Sequence, residues 1–245
     1  MLITTSLKPF RHGEQFRAQA LRGSPDLLGP FLGVDHAWMS APTFPLHSHT
    51  GMSAVSYLFL DSETGIHNHD SIGTRNLIRP GGMHWTTAGR GIQHEEVPAE
   101  SGKTVHSLQI FVGLAPERQH IAPFALSLEP QDVPMVQLPG VTVRVPVGSF
   151  GDVRSPLKPP TDVTVLDISL DEGAVLTVPI AAGESAFIMP ISGAVTVDGQ
   201  DFDASELQLP ISVAQDAPRA ITLRAPRGRA QAVLFSGCPL LFSAT

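Results

Sequence analysis

Short apolar runs rich in β-branched and aromatic residues alternate along this chain with clusters of Gly, Pro and Asp. This pattern is typical of strands joined by short turns. It favours an all-β sandwich or barrel over a fold in which strands alternate with helices. The clearest runs are Ser53–Leu60, His106–Val112, Val141–Val145, Val163–Ser169, Ser185–Met189 and Ala194–Val197.

Glycine and proline are abundant, at 22 residues each, and leave little room for long helices. We expect at most one short helix, either between the two halves of the chain or near residues 204–208. A strand, a Gly-containing turn and a second strand recur at Tyr57–Ile66 and Ile188–Val197. This weak similarity predicts a duplicated fold.

The length and the distribution of histidine indicate two domains. A chain of 245 residues is comfortable for two domains, and 42% hydrophobic with 16% charged residues is a globular composition. All ten histidines lie at or before His120. The stretch Ala115–Gly140 contains five prolines, which we expect to prevent regular structure there. We therefore predict a metal-binding domain over residues 1–122 and a domain without metal ligands over residues 123–245.

Charge, cysteine content and hydropathy exclude several classes of protein. A net charge of −7 argues against direct nucleic-acid binding, which needs a basic surface. No apolar run approaches the roughly 18–20 residues needed to span a membrane, and the first residues lack the pattern of a signal peptide. The single cysteine, Cys238, excludes an internal disulfide framework and is expected to be inert, in the core or on the surface. We expect a cytoplasmic protein.

Two short motifs each place two metal-binding side chains two residues apart. Residues i and i+2 of a strand point to the same face, roughly 6–7 Å apart. His47 with His49, and His94 with Glu96, can therefore form two parallel pairs of ligands. If the two strands face each other across a barrel, three imidazoles and one carboxylate converge on one point. Such a site suits a redox-capable first-row metal such as iron, although other divalent first-row metals remain alternatives.

The alternation of side chains along a strand extends this hypothesis to neighbouring residues. If His47 and His49 point inward and no bulge intervenes, Ser53, Val55, Tyr57 and Phe59 point inward as well. On the later segment, Gly89-Arg-Gly91 gives the backbone the freedom to bring its strand back across the barrel. Without a metal, the four candidate ligands would be a buried polar cluster, which is costly unless its groups are paired.

The remaining histidines have simpler explanations. His12, His36 and His120 are interpreted as surface or hydrogen-bonded residues, and His84 as a surface residue. His67 and His69 form a second His-x-His pair in a turn region, where we expect solvated residues at the rim. His106 shares a strand face with two apolar residues, so a hydrogen-bonded core histidine or a residue supporting the ligands is the better interpretation.

Taken together, these motifs resemble those of the pirin family, whose members are bicupins of the cupin superfamily. The resemblance covers nearly the whole chain, and the Ala88-Gly-Arg-Gly-Ile-x-His94 string with the upstream His-x-His pair is its most specific part. The matching segments are His47-x-His49, Asp70-Ser-Ile-Gly73, Pro80-Gly-Gly82, Trp85–His94 and Glu96.

The resemblance implies an all-β fold of two antiparallel jelly-roll (cupin) barrels face to face, with one mononuclear iron site in the N-terminal barrel. His47, His49, His94 and Glu96 would be its ligands. Ser53 stands where ordinary cupins have a ligating glutamate, and Thr50-Gly-Met-Ser53 departs from the usual pirin pattern. The printed chain ends soon after Cys238, which resembles the shorter bacterial members.

The resemblance also implies two classes of function that the sequence leaves open. One is a quercetin 2,3-dioxygenase, which opens a flavonol ring with dioxygen while Glu96 acts as ligand and general base. Residues available as apolar walls of its site are Trp85, Tyr57, Phe59, Met52 and Leu46. The other is a non-enzymatic iron-dependent regulatory protein that acts through a protein partner. A third, weaker alternative is a cupin that binds a small carboxylate or sugar without turnover.

Overall fold

The computed structural model describes residues 2–240, and nearly all of its regular structure is antiparallel β. Each of the six predicted runs forms a strand. The first twelve strands are β1 (Leu2–Ser6), β2 (Lys8–His12), β3 (Phe16–Leu21), β4 (Phe31–Met39), β5 (His47–His49), β6 (Met52–Leu58), β7 (Ile66–Asp70), β8 (Arg75–Ile78), β9 (Met83–Thr87), β10 (Ile92–Pro98), β11 (Val105–Gly113) and β12 (Phe124–Leu128). The other twelve are β13 (Met135–Leu138), β14 (Val141–Val147), β15 (Ser149–Phe150), β16 (Val153–Arg154), β17 (Val163–Leu170), β18 (Val175–Ile180), β19 (Ser185–Ser192), β20 (Ala194–Val197), β21 (Gln200–Asp203), β22 (Gln208–Ser212), β23 (Arg219–Arg224) and β24 (Ala230–Gly237).

Helical structure is limited to short segments. The α-helix α1 covers Pro25–Leu28, and two single-turn 3-10 helices, Pro116–Arg118 and Pro130–Asp132, lie between the halves. Residues 204–208 are not helical. The expectation that prolines prevent regular structure over residues 115–140 was wrong, because β12 and β13 form there between the prolines. Within the described residues, no helix is long and apolar enough to cross a membrane.

Apart from the two-stranded sheet β15-β16, the strands form two large sheets and two small sheets in matching order. The first large sheet has the order β12-β9-β6-β11-β4-β3-β2, and its small partner has the order β5-β10-β7-β8. The second large sheet has the order β1-β22-β19-β24-β17-β14-β13, with the small sheet β18-β23-β20-β21. Position by position, the two orders correspond. The all-β prediction with two jelly-roll halves is confirmed, and the repeated order agrees with a duplicated fold.

Two strands belong to the sheet of the opposite half. β1, at the start of the chain, pairs with β22 in the second large sheet. β12, beyond the predicted boundary at residue 122, pairs with β9 in the first large sheet. The limits 1–122 and 123–245 remain a prediction, and each half completes its sheet with a strand from the other side of that boundary.

The two large sheets pack against each other and share one hydrophobic core. Phe31 of β4 packs edge-on against Phe187 of β19 and Phe235 of β24, with ring centroids 5.4 and 5.5 Å apart. Val55, Tyr57, Phe59 and Trp85 belong to this core. The large sheets therefore lie face to face, and central strands such as β6 and β19 are buried on both faces.

The space between the sheets of each half is filled differently. In the second half, a large apolar cluster that includes Val143, Ile168, Val195 and Leu223 fills the interior. In the first half, the apolar cluster is small and consists of Met39, Leu58, Ile66, Ile78 and Val105, with Phe16 packed against it. The rest of that interior is available for polar groups and a cavity.

Candidate metal centre

The two predicted motifs lie on neighbouring strands of the first small sheet. β5 pairs antiparallel with β10, which places His47 directly opposite His94 and His49 opposite Ile92. The expectation that the two strands face each other across a barrel was wrong, because they are hydrogen-bonded neighbours. Adjacent strands bring directly opposite side chains to about 4.5–5.5 Å at Cβ, so this register still brings the histidines together.

Three of the four candidate ligands form one close cluster. The potential ligand atoms of His47, His49 and His94 all lie within 4.8 Å of one another. The Nε2 atoms of His49 and His94 are 3.1 Å apart. Exposure decreases from His47, which is exposed, through His49 to His94, which is buried. The cluster therefore opens to solvent on the His47 side.

The environment keeps the two inner imidazoles neutral, which is the form that ligates metals. Burial, with the nearby His47, lowers the pKa of His49 to about 4. Burial also lowers the pKa of His94 to about 3, with smaller contributions in the same direction from His47, His49 and His84. Both rings can therefore offer a nitrogen lone pair at neutral pH.

Glu96 lies beside this cluster but outside its 4.8 Å limit. It is partly buried, lines the same cavity as His47 and His94, and its Oε2 accepts a hydrogen bond of 2.7 Å from the Ser56 hydroxyl. Burial raises the pKa of Glu96 to about 7, while the Ser56 hydrogen bond opposes that rise. The structure thus places Glu96 on the wall next to the histidines.

A cavity of about 550 Å³ adjoins the cluster and is mostly apolar. Four aromatic rings line it, those of Phe10, Phe16, Phe44 and Phe111. Arg22 and Asp35 also line the cavity and form a two-pronged ion pair, in which Arg22 Nη2 donates to Asp35 Oδ2 over 2.9 Å. The size falls within the range of about 300–1,000 Å³ typical of small-molecule sites.

The predicted apolar walls were wrong. Tyr57, Phe59 and Trp85 belong to the core between the large sheets, and neither Leu46 nor Met52 lines the cavity. The chain turns at Gly51, with φ of 68°, between β5 in the small sheet and β6 in the large sheet. Because of that turn, the alternation that starts at His47 does not continue into β6, and Ser56 rather than Ser53 faces the site.

The other histidines follow the sequence interpretation with one exception. His12, His67 and His120 are exposed, and His69 is partly exposed. The prediction that His84 lies at the surface was wrong, since it is 1% exposed and its Nδ1 lies 2.9 Å from the Ser127 hydroxyl. On β9, His84 points into the interior of the first half. The neighbouring Trp85 points to the opposite face of the sheet, into the core between the two large sheets.

His36 and His106 form a hydrogen-bonded pair away from the candidate site. Their Nε2 atoms are 2.7 Å apart, and His106 Nδ1 bonds the carboxylate of Asp61. The prediction of hydrogen-bonded histidines at these positions agrees with this geometry. Cys238 is exposed, which is one of its two predicted placements.

The donor set fits a first-row metal ion. Two nitrogens that each lie about 2.1 Å from one cation, with a nitrogen–metal–nitrogen angle of about 90°, are about 3.0 Å apart. This is close to the 3.1 Å between the Nε2 atoms of His49 and His94. Neutral imidazoles with an adjacent carboxylate suit iron, nickel, zinc and related ions.

Comparison with known proteins assigns the chain to a family. The family model described as Pirin matches residues 4–112. Mouse Pirin is 36% identical to the chain over 204 residues, covering 81% of this chain and 69% of that protein. The chain belongs to the pirin family. A Pseudomonas aeruginosa protein that carries the provisional name quercetin 2,3-dioxygenase is 31% identical over 189 residues, covering 72% of this chain and 65% of that protein.

Solved structures support the fold of this pirin-family protein. A quercetin 2,3-dioxygenase from Acinetobacter baumannii has a TM-score of 0.83 at 22% identity, covering 96% of this chain and 85% of that one. A bacterial pirin from Escherichia coli, solved in complex with nickel(II), has a TM-score of 0.77 at 20% identity, covering 98% and 100%. At these identities the likeness concerns the fold alone.

Proposed function

We propose that this pirin-family protein binds one iron ion through His47, His49, His94 and Glu96 and opens the ring of a flavonol such as quercetin with dioxygen. The observation that carries the proposal is the convergence of three imidazoles, within 4.8 Å, at the wall of a large apolar cavity. The Pseudomonas aeruginosa relative with the provisional name quercetin 2,3-dioxygenase, 31% identical, supports the substrate class.

The metal and the cavity have different tasks in this proposal. A bound iron ion would supply open coordination positions for a substrate oxygen and for dioxygen. The phenylalanines of the cavity would hold a flat aromatic substrate and exclude water from it. Phe111 of β11 lies nearest to the histidines, with its ring centroid 6.0 Å from that of His49.

Glu96 is the proposed general base. In the metal-free protein, a pKa of about 7 makes the carboxyl group of Glu96 a stronger base than an ordinary carboxylate. It can therefore accept the proton of the flavonol 3-hydroxyl group and release it again. The Ser56 hydroxyl, 2.7 Å from Oε2, fixes the orientation of the carboxylate toward the cavity.

The test is aerobic incubation of the iron-reconstituted protein with quercetin, followed by the loss of flavonol absorbance. We expect a loss that requires both iron and dioxygen and that is strongly reduced in His94→Ala. Ser48→Ala is the matched control, because Ser48 lies on β5 between His47 and His49 and is exposed. No loss beyond that of the metal-stripped protein would contradict the enzymatic proposal.

The same assay separates the regulatory alternative. A protein that loads one iron ion but leaves quercetin unchanged would belong to the non-enzymatic class that acts through a protein partner. Iron content is therefore measured on every sample, so that loss of metal and loss of turnover are distinguished.

A further inference from the structure

Behind the candidate metal centre lie three of the buried polar atoms that lack a hydrogen-bond partner among the described residues. They are Nδ1 of His94, Oδ2 of Asp70 and Nε2 of His84. Their side chains lie in the interior of the first half and are 2%, 3% and 1% exposed. Buried polar atoms without partners are rare in folded proteins, so a cluster of them calls for a physical explanation.

The strand register places the side chains that carry the first two of these atoms next to each other. On the small sheet, His94 of β10 stands directly opposite His47 on one side and Asp70 of β7 on the other. Side chains that are directly opposite have Cβ atoms about 4.5–5.5 Å apart. His94 is therefore placed between a second histidine ligand and a buried carboxylate.

The two atoms are also complementary in chemistry. Asp70 Oδ1 accepts hydrogen bonds from the backbone N–H groups of Ile72 and Thr74, at 3.1 and 2.8 Å, and this leaves Oδ2 as a free acceptor. The Nε2 atom of His94 faces His49, so Nδ1 is the nitrogen on the opposite side of its ring. An imidazole that binds a metal through Nε2 carries its proton on Nδ1, which is then a donor.

We propose that Asp70 is the positioning residue of His94: its buried Oδ2 accepts the Nδ1 proton, directly or through one enclosed water, and commits His94 to the tautomer whose Nε2 lone pair faces the metal. The inference rests on the proposed metal site. Carboxylates commonly fix metal-binding histidines in this way.

A second histidine strengthens the acceptor role of Asp70. Asn68 Nδ2 donates to Asn76 Oδ1 over 3.0 Å, and Asn76 Nδ2 lies 3.3 Å from Nδ1 of His84. The Ser127 hydroxyl lies 2.9 Å from the same Nδ1 atom. With Asn76 and Ser127 both donating to Nδ1, His84 carries its own proton on Nε2, the atom without a partner. The unpartnered Asp70 Oδ2 is thus a buried acceptor in the same interior as two unpartnered imidazole nitrogens, one on β9 and one on β10.

The test is the tautomer of His94 in the metal-free protein, measured by two-bond nitrogen–proton correlation on histidine-labelled samples. His94→Gln identifies the His94 signals by their loss. We expect the wild-type ring to be protonated at Nδ1. In Asp70→Asn, the remaining side-chain oxygen can still accept the backbone hydrogen bonds of the turn, while the new amide group donates toward Nδ1 of His94. We therefore expect the His94 proton to move to Nε2. Nickel(II) affinity then falls about 10–100-fold.

Asp203→Asn is the matched control. Asp203 also closes a turn, its Oδ1 accepting from the N–H and hydroxyl of Ser205 at 3.0 and 2.7 Å, but it lies in the second half. We expect it to leave the His94 tautomer and nickel affinity unchanged.

A wild-type His94 protonated at Nε2 would overturn the inference, even if Asp70→Asn fails to fold. So would a folded Asp70→Asn protein with the wild-type tautomer and affinity. The tautomer is read without metal, so a failure of the dioxygenase proposal leaves this test intact.

Discussion

Tyr57 of the first large sheet donates a hydrogen bond of 2.7 Å to Asp167 of the second. Both residues are buried, and Gln231 donates to the other carboxylate oxygen of Asp167, also over 2.7 Å. Burial raises the pKa of Asp167, while the hydrogen bonds from Gln231 and Tyr57 and the charge of Arg144 oppose that rise. This network is a polar connection within the apolar core between the two halves.

Removing the Tyr57 hydroxyl should destabilise the protein. Tyr57→Phe keeps the ring but leaves the buried Asp167 carboxylate without one of its donors, which typically costs about 1–3 kcal/mol. We expect a lower free energy of unfolding in urea. Thr196→Val is the control, because it removes an exposed hydroxyl bonded to Asp201 and should change stability by less than about 0.5 kcal/mol. Equal stability of Tyr57→Phe and wild type would contradict the importance of this bond.

The buried pair of His36 and His106 should make stability depend on pH. Burial, then the neighbouring His106 and Arg17, lowers the pKa of His36 from 6.5 to about 3. Below pH 6.5, His36 of the unfolded chain binds a proton that it does not bind in the folded state. The free energy of unfolding therefore falls as the pH falls toward 3. One proton bound by the unfolded chain alone lowers the free energy of unfolding by about 1.4 kcal/mol per pH unit.

The check is the free energy of unfolding of wild type and His36→Phe between pH 7 and pH 4. We expect the wild-type curve to fall more steeply, because the phenylalanine cannot be protonated. Histidines that do not contact His36 affect both proteins alike, so the difference between the curves reports on the His36–His106 pair. Parallel curves would show that His36 does not titrate as described.

Ser56 should control the proton affinity of Glu96. The hydrogen bond from Ser56 stabilises the charged carboxylate and lowers its pKa, against the larger effect of burial. In metal-free Ser56→Ala, the pKa of Glu96 should therefore rise, as measured by carboxyl ¹³C shifts during a pH titration. Ser107→Ala, on the same cavity wall, is the control. An unchanged or lower Glu96 pKa in Ser56→Ala would contradict the claim that this hydrogen bond stabilises the charged carboxylate.

Glu96→Gln should separate catalysis from metal binding. The amide keeps the size of the side chain and can still offer an oxygen, but it cannot accept a proton. We expect turnover of quercetin to fall about 10²–10⁴-fold, the range typical of a lost general base, while iron content falls less. A variant that loses iron and turnover in proportion would instead assign Glu96 to the metal alone.

The sequence predicted the fold well because its evidence was local. Runs such as Ser53–Leu60 and Ala194–Val197 carry strand composition over several residues, and turn residues bound them. The exchange of β1 and β12 between halves could not be predicted, because pairing between strands far apart in sequence leaves no local pattern.

The candidate site was predicted in part, because the spacing of its histidines is also local evidence. The i, i+2 spacing of His47 and His49 identified a shared face, and strand pairing then joined it to His94. The cavity was missed because Phe10 and Phe16 come from β2 and β3, which reach the site only through the register of the large sheet. The sequence shows Asp70 only as part of a turn motif. Its position directly opposite His94 arises from the pairing of β7 with β10 and has no local pattern.

Iron-edge anomalous diffraction from crystals of the iron(II)-loaded protein tests the central claim most directly. The account predicts one strong peak per chain, bonded to His47, His49 and His94, with Glu96 turned toward it. A peak at other residues, or none at these histidines in protein that contains one iron per chain, would contradict it.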